Sequence, residues 1–228
     1  MKSKTAIRAA AIALAAILPA AAFARTDQIW LNAGLDYNVY GDFSLHIDQE
    51  LEYDNSKLLD EETTMLAVYR FCPFFGAAFG HRIVRERAAG SGPLLTEHRP
   101  TLDLNFFAPE FWTLLFDFRS RFEYRDKSSA QPHMRYRERF RLRTSWSATQ
   151  FGLSPFASEE LLFSDIPGGS DSDLFCAMRS QVGLAFNPVP GNKNLECAMY
   201  FMVHHDVEDG AQDWAPLNVF GFDVSYSF

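Results

Sequence analysis

The chain has 228 residues, of which 47% are hydrophobic and 15% aromatic, and its formal net charge at pH 7 is −8. Its longest uncharged apolar run, residues 9–24, is shorter than the roughly 18–20 residues that a membrane-spanning helix needs. The acidic balance lacks the basic stripe of a nucleic-acid binder, and 22 phenylalanines, 8 tyrosines and 4 tryptophans are too many aromatic residues for a disordered chain. We therefore expect a folded protein without a nucleic-acid partner.

Residues 1–24 have the three parts of a secretory signal peptide. Basic residues open the segment, an apolar stretch follows, and Ala22-Phe23-Ala24 forms a small-residue cleavage site. Cleavage after Ala24 leaves residues 25–228 as the mature chain. The sequence therefore predicts a protein that leaves the cytoplasm.

From Gln28 onward, apolar and polar residues alternate, which is the period-2 pattern of a strand with two unlike faces. In residues 112–124 one face is apolar or aromatic, and the other carries aspartate, arginine and glutamate. In residues 133–147 an arginine occupies every second position from Arg135 to Arg143. Eleven such segments are predicted, at 28–40, 43–54, 62–71, 74–86, 94–107, 111–125, 133–147, 153–164, 173–187, 194–206 and 214–228.

The connections alternate between short turns and longer polar loops, a pattern typical of outer-membrane β-barrels, whose strands need about 9–11 residues. Aromatic residues cluster beside the short turns, as they do where rings lie at a lipid–water interface. A soluble sandwich would also alternate, but its apolar faces would share one core. The clustered residues are Tyr40, Phe43, Phe71, Phe74, Phe107, Phe111, Trp112, Trp146 and Phe151.

We therefore predict that residues 25–228 form an all-β, antiparallel, up-and-down transmembrane barrel in the outer membrane of a Gram-negative bacterium. The predicted barrel has about 10–12 strands. Single-chain bacterial barrels have even strand numbers, which favours 10 or 12. Eleven strands would require the first strand to start at the loop end and an unusual closure.

The C-terminal segment carries aromatic or apolar residues at every second position and ends at Tyr226 and Phe228. It resembles the last strand of Gram-negative outer-membrane barrels, and this resemblance implies recognition of the terminal aromatic residue by the barrel assembly machinery. Outer-membrane lipid and lipopolysaccharide are the other partners that such a barrel implies.

A narrower resemblance rests on Trp30, on Glu97-His98-Arg99-Pro100-Thr101-Leu102, on the arginines from 135 to 143, and on two later segments, 157–163 and 179–184. These motifs are similar to those of the bacterial domain of unknown function 2490 family. The resemblance covers most of residues 25–228 and implies the barrel fold without implying an activity.

The inward face predicts a lattice of ion pairs, because arginine pairs well with carboxylates. If the turn at 108–110 pairs Phe106 with Trp112, Glu97 faces Arg121 and Arg99 lies diagonal to Asp117. The lattice either fills the lumen and makes the barrel rigid, or lines a narrow, porin-like passage that prefers anions. Its predicted members are Arg99, Asp117, Arg119, Arg121, Glu123, Arg135, Arg137, Arg139, Arg141, Arg143, Glu160 and Arg179.

Two other functions stay open. In the same register Ser120 lies opposite His98, with His81 beside it, and a Ser–His pair on the lipid-facing side could hydrolyse lipid. The protein could instead bind a partner through its surface loops. No metal site, cofactor or disulfide framework is predicted from the spacing of the three cysteines and the histidines, and the sequence leaves the oligomeric state undecided.

Overall fold

The computed structural model describes residues 26–54, 57–87, 94–127, 131–144, 152–165, 175–189, 192–206 and 216–228. The predicted signal peptide, together with Trp146 and Phe151, lies outside these residues. Within them, no helix is long and apolar enough to cross a membrane. The strands are β1 (Gln28–Tyr40), β2 (Phe43–Asp54), β3 (Lys57–Cys72), β4 (Phe75–Arg87), β5 (Leu94–Phe107), β6 (Leu114–Lys127), β7 (His133–Thr144), β8 (Ser154–Asp165), β9 (Phe175–Phe186), β10 (Leu195–Asp206) and β11 (Pro216–Ser227).

In the described part of the chain, the eleven strands form one closed barrel in which each strand pairs with its neighbours in sequence. Consecutive strands are antiparallel, and the barrel closes where β1 and β11 pair in parallel, from Gln28↔Val219 to Asp36↔Ser227. The predicted all-β barrel and its eleven segments are therefore confirmed, whereas the preference for 10 or 12 strands is wrong. An even number is not a physical requirement, because a parallel ladder also pairs the backbone groups of both edge strands.

Because β1 and β11 run in parallel, the start of β1 and the end of β11 lie at opposite ends of the barrel. We call the end that carries the Gly41-Asp42 connection the turn end and the opposite end the loop end. β1 starts at the loop end, where Gln28 pairs with Asp54, and β11 finishes at the turn end. Gly41 has a φ of 56°, a conformation that glycine adopts at little cost in a tight turn.

The predicted register between β5 and β6 is wrong. Phe106 pairs with Phe118 instead of Trp112. The chain reverses at Trp112-Thr113, where Phe111 and Leu114 exchange two backbone hydrogen bonds of 2.9 and 3.0 Å. Trp112 has a positive φ of 60°, a backbone conformation that residues other than glycine rarely adopt outside turns. Because the turn lies later than predicted, each β5 residue faces a β6 residue six positions further along.

The two faces of the barrel wall differ in polarity as the alternation predicts. Along β1, Ile29, Leu31 and Leu35 point outward and are exposed, whereas Trp30 between them is buried inside. On the outside, neighbouring rings of Phe75, Phe106, Phe118 and Phe140 lie 4.8–5.8 Å apart across four strands. Such cross-strand aromatic pairs stabilise a sheet.

Exposed aromatic side chains are concentrated at the turn end. Tyr40 is 86% exposed, Trp112 85%, Phe111 65% and Phe71 60%. Phe107, which the sequence groups with them, instead faces inward and lines the interior cavity. The exposed aromatic residues among the described members of this group surround the turn end from the outside.

Candidate functional site: a lumen with two oppositely charged walls

The barrel encloses a cavity of about 870 Å³. It extends from Gln28 and Glu52 at the loop end to Ser44 and Arg143 at the turn end. An eight-stranded barrel has an interior that side chains fill, so the additional strands account for the remaining space. The volume lies within the range of small-molecule sites, about 300–1,000 Å³.

One wall of the cavity, formed by β4 to β9, carries mainly arginine. We call it the arginine wall. Alternation on β7 directs five arginines inward from a single strand, and β4, β5, β6 and β9 add further ones. Its cavity-lining arginines are Arg82, Arg99, Arg119, Arg121, Arg125, Arg135, Arg137, Arg139, Arg141, Arg143 and Arg179.

Glu123 is the centre of the ion pairs in this wall. Its side chain is fully buried and accepts hydrogen bonds from Arg82 at 2.6 Å and from Arg135 at 2.7 Å. Arg137 lies 3.4 Å from the same carboxylate and Arg121 3.9 Å. Arg82 also forms an ion pair with Glu62 of β3. Such a carboxylate is compensated by several guanidinium groups, which a buried charge requires.

Glu160 is a second centre nearer the turn end. Arg137 donates to it at 2.6 Å and Arg119 at 3.0 Å, and Arg179 lies 3.7 Å away. The guanidinium of Arg179 also stands 5.0 Å over the ring of Trp30, an arrangement in which the ring attracts the cation.

The pairs predicted for Glu97 and Arg99 are different in the structure. Glu97 faces Lys127, not Arg121, in the backbone register, and its carboxylate accepts hydrogen bonds from Arg99 and Arg125 at 2.5–3.0 Å. Both predicted contacts are wrong because they depend on the mistaken turn.

Arg121 and Asp117 have other partners as a result. Arg121 forms a bidentate salt bridge with Asp103, in which both hydrogen bonds are 2.7 Å long. Asp117 accepts a hydrogen bond from Arg141 at 2.9 Å and lies 3.6 Å from Arg139. All of these contacts join inward-facing residues. The shifted register therefore changes the ion-pair partners, but the same residues still face the lumen.

Several guanidinium groups in the arginine wall keep unused hydrogen-bonding capacity. The Nε atoms of Arg119, Arg137, Arg139, Arg143 and Arg179 are buried and have no hydrogen-bond partner among the described residues. Arg137 is the most enclosed of them, with a side chain that is only 7% exposed. Arg143 has no ion pair within the described part of the chain. The wall thus has more positive charge than its own carboxylates neutralise.

The opposite wall, formed by β1, β2, β3 and β11, carries carboxylates. We call it the carboxylate wall, and its cavity-lining members are Asp36, Asp48, Glu50, Glu52, Asp60, Glu62 and Asp223. His46 bridges two of them, with Nδ1 at 2.8 Å from Asp36 and Nε2 at 3.1 Å from Asp48.

Four carboxylates of this wall have no direct partner. Glu50, Glu52, Asp60 and Asp223 form no hydrogen bond or ion pair with any of the described residues, and Oδ1 of Asp60 is buried. Glu50 and Asp223 both pair in register with Asn32 of β1, one from each side, so their side chains flank the same inward position. Sequence reasoning missed this wall, although β2 alternates His46, Asp48, Glu50 and Glu52 on one face just as β7 alternates its arginines.

The residues of the predicted hydrolase do not assemble. Ser120 lies opposite Leu104 instead of His98, and its hydroxyl donates to Glu138, whose two carboxylate oxygens lie 2.9 and 3.1 Å away. His81 and His98 do meet, with ring nitrogens 3.0 Å apart. Ser120 does not lie beside this histidine pair, so the pair lacks the nucleophile that the predicted reaction assigns to it. Among the described residues, no group of three or more side chains could hold a metal ion.

Comparison with known proteins gives one match. The sequence model of a family described as "Protein of unknown function (DUF2490)" matches residues 27–214, which is most of the barrel. No curated protein and no solved structure matches the chain. Alternate residues of the motifs that resemble this family, among them the five arginines of β7 and Arg99, line the lumen. The chain belongs to the DUF2490 family.

Proposed function

We propose that this protein is an integral outer-membrane barrel of a Gram-negative bacterium and that its lumen is a narrow passage for small polar solutes. The single observation that carries the passage is the cavity of about 870 Å³, which extends along the barrel axis between two charged walls. Charged residues inside a barrel whose outside is apolar are typical of a lumen that holds water and solutes.

The outer surface supports the membrane location. Apolar side chains such as Ile29, Leu31 and Leu35 face outward, and exposed aromatic rings surround the turn end, as in the interfacial girdles of membrane barrels. The predicted signal peptide would deliver the chain to the envelope. Outer-membrane lipid and lipopolysaccharide would then contact the apolar surface, and the barrel assembly machinery would recognise the end at Tyr226 and Phe228.

The ion pairs around Glu123 and Glu97 favour a second, structural role. These carboxylates are almost completely buried, so this part of the lumen is filled and fixes neighbouring strands to one another. The same packing makes the passage narrow. Binding through surface loops would depend mainly on residues outside the described part of the chain.

Planar-bilayer recordings test the passage. We expect the refolded mature protein to give small single-channel currents. Replacing Arg139 or Arg141 with alanine shortens a cavity-lining side chain and removes a positive charge, so the variants should conduct more and shift their selectivity toward cations. Arg85→Ala is the matched control, because Arg85 lies outside the cavity and is 53% exposed.

Folding of every variant is checked by heat-modifiable migration on gels. A folded wild-type barrel that leaves the bilayer silent would contradict the passage and leave the structural role. Equal currents and selectivity in the wild type, the Arg139 variant and the Arg85 control would show that conduction does not follow the arginine wall.

A further inference from the structure

The two walls of the lumen carry opposite charges on opposite strands. The arginine wall belongs to β4–β9, and the carboxylate wall to β1–β3 and β11. Both line the same cavity. A cavity between fixed charges of opposite sign has an electric field across it, and low-dielectric walls focus such a field.

Both walls also offer groups that the protein itself leaves without a partner. On one side, the Nε atoms of Arg119, Arg139 and Arg143 are buried without a hydrogen-bond acceptor among the described residues. On the other, Glu50 and Asp223 form no ion pair within the same part of the chain. A charged group that is partly withdrawn from water and has no counter-charge gains by binding one, so a solute that pairs with either group is favoured.

We propose that the lumen selects small zwitterions, solutes that carry one anionic and one cationic group, and orients them across the passage. The anionic group would pair with the guanidinium groups of Arg139 and Arg143, and the cationic group with the carboxylates of Glu50 and Asp223. This inference rests on the proposed passage and names its substrate class.

The choice of a zwitterion over a simple ion follows from the charges. An anion gains contacts with the arginine wall but is repelled by the carboxylates on the other side, and a cation meets the reverse arrangement. Like charges placed together at a dry interface are strongly unfavourable. A zwitterion satisfies both walls at once, and guanidinium groups bind carboxylates with good geometry. The cavity has room for a small zwitterion together with water.

Osmotic swelling of liposomes that contain the refolded mature protein provides the test. The probes are 4-aminobutyrate, a zwitterion, and 4-hydroxybutyramide, an uncharged solute of similar size. We expect the zwitterion to enter about tenfold faster, the lower end of the rate gains that charged clefts produce. In parallel, 4-aminobutyrate should reduce the single-channel ion current at millimolar concentration, a measurement that needs no variant.

Two double variants remove one wall each. Glu50→Gln with Asp223→Asn should abolish the preference for 4-aminobutyrate and make the lumen prefer anions, and Arg139→Gln with Arg143→Gln should abolish it and make the lumen prefer cations. Uptake of 4-hydroxybutyramide should stay within about twofold in the Glu50/Asp223 variant, because each amide has the shape of the acid that it replaces. In the Arg139/Arg143 variant the side chains are shorter, so uptake of both solutes should rise and the ratio of the two rates is the readout. Glu61→Gln is the control, since Glu61 faces outward toward Arg85.

The possible failures are distinguishable. If ions pass but both solutes enter the wild-type liposomes at equal rates, the zwitterion proposal is overturned and the passage stands. If a preference exists but survives both folded double variants, the two walls are not its source and the proposal is overturned as well. If neither ions nor solutes pass through folded protein, the passage and the zwitterion proposal both fail.

Discussion

Replacing Glu123 with glutamine tests whether the buried ion pairs hold the barrel together. Glu123 is 0% exposed and its carboxylate contacts Arg82 at 2.6 Å and Arg135 at 2.7 Å. Glutamine keeps the shape of the side chain but removes the charge, so the surrounding guanidinium groups lose their shared counter-charge. Removing one partner of a buried pair costs about 3–5 kcal/mol. We expect Glu123→Gln to lower the free energy of unfolding by about this amount.

Urea unfolding of the refolded barrel in detergent micelles, followed by tryptophan fluorescence, measures this change. Glu61→Gln is the matched control. Among the described residues Glu61 pairs only with Arg85, at 3.5 Å, and the two side chains are 30% and 53% exposed. Such an exposed pair contributes at most about 1 kcal/mol. If Glu123→Gln costs no more than Glu61→Gln, the central carboxylate does not stabilise the barrel and the reasoning fails.

Three further predictions concern packing, assembly and activity. Gly80→Ala should prevent correct folding or destabilise the barrel by roughly 1–3 kcal/mol, because a Cβ there would overlap the Met65 backbone oxygen. Gly34→Ala is the control for the same urea titration and should be tolerated, because the atom nearest to its added Cβ would be 3.7 Å away. Phe228→Ala should reduce the yield of heat-modifiable barrel in cells while leaving refolding in detergent intact, and equal yields would contradict an assembly role. Ser120→Ala should leave any lipid hydrolysis by the purified protein unchanged, and a loss of hydrolysis would restore the enzyme hypothesis.

The faces of the strands could be predicted because alternation is a local property. Successive side chains of a strand point to opposite sides, so the inward position of Arg135, Arg137 and Arg139 follows from β7 alone. β3 starts at Lys57, ahead of the predicted segment 62–71. Asp60 and Glu61 extend the strand although both are charged, so alternation does not reveal where this strand begins.

The ion-pair partners could not be predicted, since they depend on where each turn reverses the chain. With a turn at 108–110, the ion-pair partner of Glu97 would be Arg121. The chain actually reverses at Trp112-Thr113, and the carboxylate of Glu97 pairs with Arg125. A shift by an even number of residues preserves the inward face and changes every partner on it. For this reason the composition of the lattice was predictable and its pairing was not.

Eleven alternating segments, a charged inner face and an apolar outer face could be predicted from the sequence alone, because each of these properties is local to a single strand. The closure of the barrel and the pairing of its two walls could be seen only in the folded structure. Both depend on contacts between residues far apart in the chain, such as the parallel pairing of β1 with β11. That closure places Asp223 beside Asn32 and Glu50. The carboxylate wall opposite the arginines is therefore built from several strands and is not contained in any one of them.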